Sequence, residues 1–240
     1  MPILLEEPSI VEVIGCSKCN YAGFVHPYGP HGVDHSRVER CPCMKEADER
    51  ASQERHLRMC ELPPGTANLT FETFKHKQSR ELKEAYDAAL QLAEHSEGLR
   101  WLTFMAGVDR GKTHLAIAVC RRWLARGEAA RYAYVPEMLD DLRASYDNDS
   151  EGSFKSKFYH LCNVPLLVLD DLGVEKPSDW AIEKLNSIVH LRDVNGLYLM
   201  VTTNVPLNDL PPRIASRLQR VQPSKVVVIK AQEYRTRGKI

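Results

Sequence analysis

The chain has no apolar run approaching the roughly 18–20 residues that cross a bilayer, so no membrane-spanning helix is expected. It also lacks net charge: 32 Lys and Arg balance 32 Asp and Glu. A uniformly cationic surface that would coat a polyanion by charge alone is thereby excluded. The N-terminal stretch from Met1 to Val13 carries Glu6, Glu7 and Glu12 and has no basic cluster before an apolar segment. It does not read as a secretory signal, and a cytoplasmic location is expected. Without an export signal, the seven cysteines argue against a disulfide framework and for thiols or a metal site. Internal repeats and low-complexity tracts are absent. What remains is an ordinary globular composition, 43% hydrophobic and 27% charged over 240 residues. That length suffices for one sizeable α/β core and a small appended module.

Three zones are expected. Residues 1–43 are rich in Gly, Pro, His and Cys and short on helical periodicity. Residues 44–65 hold a charged linking helix over Met44 to Glu61, broken by Pro63-Pro64-Gly65. Residues 66–240 alternate strand and helix patterns. Strands are predicted at Leu102–Ala106, Ala130–Val135, Val164–Leu169, Leu197–Thr203 and Lys225–Ile229. Helices are predicted at Lys112–Arg126, Pro136–Tyr146 and Asp179–His190, and a loop at Asp147–Ser153. The runs at Val164–Leu169 and Leu197–Thr203 are almost wholly apolar, as central parallel strands are. The alternation implies βαβ units and a three-layer α/β fold with a mostly parallel sheet.

After the first of these strands comes Ala106-Gly107-Val108-Asp109-Arg110-Gly111-Lys112-Thr113-His114. Its second half has the G-K-[ST] ending of a phosphate-binding loop between strand and helix. Gly111 lets the backbone curl around phosphate oxygens, Lys112 reaches the terminal phosphates, and the Thr113 hydroxyl can join a Mg²⁺ shell. The N–H groups of the following helix point at the same anion. The first half departs from the pattern: Ala106 stands where the first glycine belongs, and Asp109 adds an acid near the phosphates. The candidate nucleotide-binding set is Gly107, Val108, Asp109, Arg110, Gly111, Lys112, Thr113 and His114, with Asp170.

Leu166 to Leu169 runs into two carboxylates, Asp170 and Asp171. In P-loop enzymes the first acid supports Mg²⁺ and the second polarises the attacking water; alternatively the pair caps a helix. The strand through Leu199 to Thr203 ends at Asn204, which either bonds a γ-phosphate or the attacking water, or forms a turn before Val205-Pro206. Cys16-Ser17-Lys18-Cys19 and Cys41-Pro42-Cys43 are two close thiol pairs with 21 residues between them. Brought together, Cys16, Cys19, Cys41 and Cys43 make a shell suited to Zn²⁺; His26, His31 and His35 are possible substitutes, and free thiols are the alternative. Cys60, Cys120 and Cys162 fall outside any cluster; Cys120, in a helix, and Cys162, before a core strand, read as packing residues. From Pro211 to Ile240 eight Lys/Arg face one acid, Glu233, so this end either meets phosphates or is a solvated basic edge.

Together these segments resemble the DnaC-like branch of AAA+ ATPases, which includes bacterial replicative helicase loaders and IstB-type transposase helpers. The resemblance rests on Gly111 to Ala116, on Leu169-Asp170-Asp171-Leu172-Gly173 with Trp180-Ala181 and Leu185, on Thr202-Thr203-Asn204, and on Ile214-Ala215-Ser216-Arg217-Leu218. Leu62-Pro63, Phe71 to Phe74 and Glu233-Tyr234-Arg235 add to it. It implies ATP, Mg²⁺ and Zn²⁺ as cofactors, ATP hydrolysis, an ATP-dependent homo-oligomer and no helical lid. It further implies a replicative helicase or transposase as partner, together with single-stranded DNA. Arg217 is then a finger supplied in trans to a neighbour's ATP, and Asp171, Asn204 and Arg217 are the catalytic candidates. The segment from Arg143 through Tyr146, Phe154, Lys155 and Lys157 corresponds to elements that touch single-stranded DNA in relatives, or is a polar connector.

Overall fold

A computed structural model describes residues 16–20, 22–30, 32–77, 79–96, 98–147, 151–173, 178–220 and 224–230. They fall into two units that divide between Ser52 and Gln53. The motif Glu233-Tyr234-Arg235, with Arg237 and Lys239, lies outside the described residues, as does His31. In the first unit, β1 (Phe24–Val25), β2 (Tyr28–Gly29), β3 (Gly32–Val33) and β4 (Glu39–Arg40) are two-residue strands. β1 pairs antiparallel with β4, and β2 with β3. A single 3-10 turn, Pro42–Met44, leads to α1 (Lys45–Cys60), which covers the predicted charged helix.

The second unit runs α2 (Arg80–Ala93), β5 (Trp101–Met105), α3 (Lys112–Ala125), β6 (Ala130–Tyr134), α4 (Val135–Asp147) and α5 (Glu151–Asn163). It continues with β7 (Leu166–Leu172), α6 (Asp179–Val194), β8 (Tyr198–Thr203), α7 (Pro212–Leu218) and β9 (Ser224–Val228). The sheet order is β6-β7-β8-β5-β9, and each neighbouring pair is parallel. Strand periodicity sorts the side chains into two cores. Leu102, Phe104, Tyr132, Leu166, Val168 and Met200 pack with α2 and α3. Trp101, Ala133, Leu167, Leu169, Leu199 and Val201 pack with α4 to α7. The expected three-layer α/β architecture is therefore present, and each fully buried Leu or Phe in these layers contributes about 1.5–3 kcal/mol. Among the described residues no helix follows β9, and no helix is long and apolar enough to cross a membrane.

Three helices, α2, α5 and the seven-residue α7, are not singled out by the sequence pattern. The side chain of Ser79 caps α2 by accepting the Leu82 N–H, and Leu82, Ala85, Ala89 and Leu92 form its buried stripe. α5 takes in part of the expected loop: helix already covers Asp147 and resumes at Glu151, and only residues 148–150 lie outside the description. β7 also runs further than expected. Its register with β8 shifts between Leu169 and Leu172, so Asp170 and Asp171 sit inside a bulge rather than beyond the strand end. The chain then turns at Gly173 (φ +92°), where an added Cβ would strike Val205 and Leu210.

The α5–β7–β8 corner is tied by a buried cation. Arg192 on α6 is fully buried and donates to the carbonyls of Leu161 (2.9 Å) and Pro165 (3.1 Å), and to that of Tyr198. Burial lowers its pKa to about 9, which keeps it charged at neutrality. Arg192→Met leaves these carbonyls without a donor; equilibrium urea unfolding should show a loss of about 2–3 kcal/mol.

Candidate functional site

The carboxyl ends of β5, β7 and β8 bring the phosphate loop, the acidic pair and Asn204 together. Ala106 is buried and does not have a positive φ, so a side chain in place of glycine costs little there. Gly111 occupies the left-handed region at φ +83° as the residue before α3, and no side chain caps that helix start. The first N–H groups of α3 are thus left to an anionic ligand. Asp109 is left-handed too, at φ +54°, a conformation that Asp tolerates better than most residues. Beside the loop lies a cavity of about 260 Å³ lined by Leu69 and by Asp109 through His114. Val108 is exposed to solvent.

Lys112 folds back over the loop. Its Nζ donates to the carbonyls of Ala106 (3.0 Å) and Gly107 (2.8 Å) and to Asn204 Oδ1 (2.6 Å). Burial lowers its pKa, opposed by the charges of Asp171, Asp170 and Asp109. Asn204 passes the contact on: its Nδ2 donates to Asp171 Oδ1 at 3.1 Å. Asp171 has φ +57°. Burial raises its pKa, as does the charge of Asp170, against Lys112 and Asn204.

Asp170 is 2% exposed and accepts three hydroxyl donors. Thr113 Oγ1 reaches Oδ2 at 3.0 Å, Tyr132 OH reaches Oδ2 at 2.6 Å, and Thr202 Oγ1 reaches Oδ1 at 2.6 Å. Thr202 Oγ1 also accepts the Asp171 N–H at 3.0 Å, which holds the bulge. The hydroxyl of Thr113 beside a buried carboxylate is a pair of hard oxygen donors, a set that fits Mg²⁺. Two of these contacts had no assigned role in the sequence reading. Thr202 was named only within the strand-end triplet. Tyr132 carried no signal beyond its even position in a strand.

The other candidates are placed differently. His114 turns to the segment before α2: its Nε2 lies 2.9 Å from the Thr70 carbonyl, and its ring meets Phe74 edge-on. Burial lowers its pKa. Among the described residues, no bond joins Arg217 on α7 to the Lys112–Asp170 group. It lies against α6, with Nη2 3.3 Å from His190 Nδ1 and Nε 3.6 Å from Asp193 Oδ2. Arg220 pairs with the same carboxylate, so part of the basic C-terminal stretch is neutralised by α6. Phe154 stacks on Phe158 and meets Tyr146 edge-on, and Lys157 donates to Ser145 Oγ.

In the first unit the thiols of Cys16, Cys19, Cys41 and Cys43 lie within 4.8 Å of one another. The closest approaches, Cys16–Cys41 and Cys19–Cys43, are 3.6 Å. Pairing of β1 with β4 and the bond from Cys41 N to Gly23 O bring the two short motifs together. Sulfurs about 2.3 Å from a common centre at tetrahedral angles have this spacing. The Lys18 and Cys19 backbone N–H groups lower the Cys16 thiol to about 6, whereas the Cys41 thiol and burial raise that of Cys43. His26 bonds the Arg37 carbonyl and packs on His35, and the four-sulfur group contains neither. Cys60, Cys120 and Cys162 are buried, and Cys60 and Cys120 hydrogen-bond each other.

Thr202→Val keeps the shape of a fully buried side chain while removing a donor from Asp170 and the acceptor of the Asp171 N–H. Chemical denaturation should show a loss of about 2 kcal/mol, with Thr202→Ser close to wild type.

Among characterised proteins, the family described as IstB-like ATP binding protein matches residues 43–239. The replicative helicase loader DnaC of Escherichia coli K12 is 23% identical over 201 residues, covering 82% of each chain. A crystal structure of the DnaC helicase loader is 25% identical with a TM-score of 0.60, covering 70% of this chain and all of that one. A crystal structure of DnaI, at 19% identity and a TM-score of 0.61, covers 75% of this chain and 99% of its own and shares the fold. The family match extends from Cys43 through the phosphate loop, the acidic strand and the strand ending at Asn204, and on that extent the chain belongs to the IstB-like ATP binding proteins.

Proposed function

We propose that the chain is an ATP-hydrolysing helicase loader of the AAA+ class that acts in DNA replication, binding single-stranded DNA and a replicative helicase. The observation that carries the reading is the convergence of Lys112, Asn204, Asp171, Asp170 and Thr113 at adjoining strand ends. Similarity to the DnaC loader supports the choice of partner. A transposition helper is the second reading, favoured by the IstB-like family description. Residues 66–240 serve as the ATPase domain, 44–65 as the linker and 1–43 as a zinc module. A cytoplasmic location and an ATP-dependent homo-oligomer belong to the same proposal.

The division of labour follows from the donors and acceptors. Lys112 exchanges its carbonyl partners for phosphate oxygens, and the N–H groups of the loop and of α3 take the remainder. Gly107 to Arg110 wrap the anion, and His114 holds the preceding segment beside it. Thr113 and Asp170 hold Mg²⁺, which supplies charge neutralisation when bound. Asp171 accepts a proton from, or orients, the attacking water, and Asn204 fixes Asp171 and the terminal phosphate. Asp reaches less far than Glu, so turnover by the isolated chain is slow. Arg217, with no partner role in its own chain's site, acts on the nucleotide of a neighbouring subunit, where a guanidinium steadies developing charge. Cys16, Cys19, Cys41 and Cys43 hold Zn²⁺.

ATP turnover with and without single-stranded DNA tests the reading. Lys112→Ala should lower turnover about 10²-fold or more, and equal rates in both proteins would exclude the motor function. Arg217→Ala should also be nearly inactive. Mixing it with Lys112→Ala should restore part of the rate, because each mixed interface can then pair an intact loop with an intact arginine. Purified protein should carry about one zinc per chain by elemental analysis, and Cys41→Ser should lose it.

A further inference from the structure

We propose that Tyr132 is a positioning residue for the magnesium carboxylate, its phenol holding Asp170 in the orientation in which it can serve a bound nucleotide. The inference rests on the nucleotide-binding reading and adds a side chain which that reading does not use.

Three observations carry it. First, the phenol reaches along the sheet to make the bond. In register, Tyr132 pairs with Val168, and Asp170 pairs with Tyr134. Tyr132 nevertheless extends to Asp170 Oδ2 at 2.6 Å, two residues further along the neighbouring strand and on the same face. Second, packing does not ask for a hydroxyl there. Its layer is Leu102, Phe104, Leu166, Val168 and Met200, all buried and apolar. Phenylalanine fills such a site without a polar atom to satisfy, so a tyrosine is sustained there by the carboxylate.

Third, among the described residues no ammonium or guanidinium is bonded to Asp170. The three bonds of Lys112 go to Ala106, Gly107 and Asn204. Among the described residues, this carboxylate shut off from water takes its side-chain bonds from hydroxyls. One of the three, Thr113, supplies its own oxygen to the cation shell in the proposed function. Tyr132 from β6 and Thr202 from β8 are the two that stay, one on each carboxylate oxygen. They fix the plane of the carboxylate from both neighbouring strands.

The test is binding of a fluorescent ATP analogue to the full chain during a Mg²⁺ titration, comparing wild type with the volume-conserving Tyr132→Phe. The expected result is a Mg²⁺ midpoint raised on the order of tenfold. Analogue affinity in EDTA should stay near wild type, while the thermal midpoint of the ligand-free protein should fall by a few degrees, as loss of one donor to the buried Asp170 requires. An unchanged Mg²⁺ midpoint overturns the inference. Equal loss of affinity with and without Mg²⁺ also overturns it, because the hydroxyl then serves the fold of the loop and not the cation site. A wild type whose binding ignores Mg²⁺ removes the nucleotide reading itself, and the inference with it.

Discussion

A single negative charge at the end of β7, almost out of reach of water, sets the terms for the second unit. An ionised carboxylate at that depth is tolerable only when donors surround it. Asp170 obtains them from α3, β6 and β8. Those elements must therefore all come within hydrogen-bonding distance of one carboxylate. The bulge in β7 is part of the same arrangement. It turns Asp170 toward α3 and leaves Asp171 beside Asn204, with Thr202 serving both. The parallel sheet, the two cores and the loop before α3 are consistent with that requirement at every point.

The departures of the phosphate loop from the usual pattern lose most of their force once backbone angles are known. A glycine is indispensable where φ is positive, and Gly111 meets that need at φ +83°. Ala106 has no such demand on it. Asp109 does sit in the left-handed region, and its short polar side chain is among the few that settle there. The charge of Asp109 also opposes the loss of the Lys112 proton that burial favours. An acid in this loop thus helps keep the lysine cationic.

Much of this arrangement was legible in the sequence, and the reasons are physical. Strand and helix periods, together with Gly-Lys-Thr and an apolar run ending in two acids, place the sheet and bring Lys112, Thr113, Asp170 and Asp171 to its carboxyl edge, because each pattern has one dominant cause. The stripe of Leu82, Ala85, Ala89 and Leu92 behind Ser79 was equally readable for α2, but alanine is a weak marker of burial. α5 begins with Glu151-Gly152-Ser153, residues that read as a turn, and the helix draws its support from Phe154, Phe158 and Leu161 packing on its neighbours. Tyr132 was not legible, because a tyrosine in a strand looks the same whether its hydroxyl meets solvent or a buried acid. The partners of Arg192 and of Arg217 are likewise contacts distant in sequence, set by how α6 lies against its surroundings.

Asn204 has different demands on its two ends. Its oxygen meets an ammonium, and its nitrogen meets a carboxylate. The amide is accordingly a polarity adaptor: turned over, it would set like against like on both sides. An aspartate in its place would satisfy the lysine and repel the acid, and a leucine would insulate the two charges from each other. A carboxamide lets cation and anion share a neutral spacer, so that any shift of the lysine toward a new partner is felt at once by the acid on the far side.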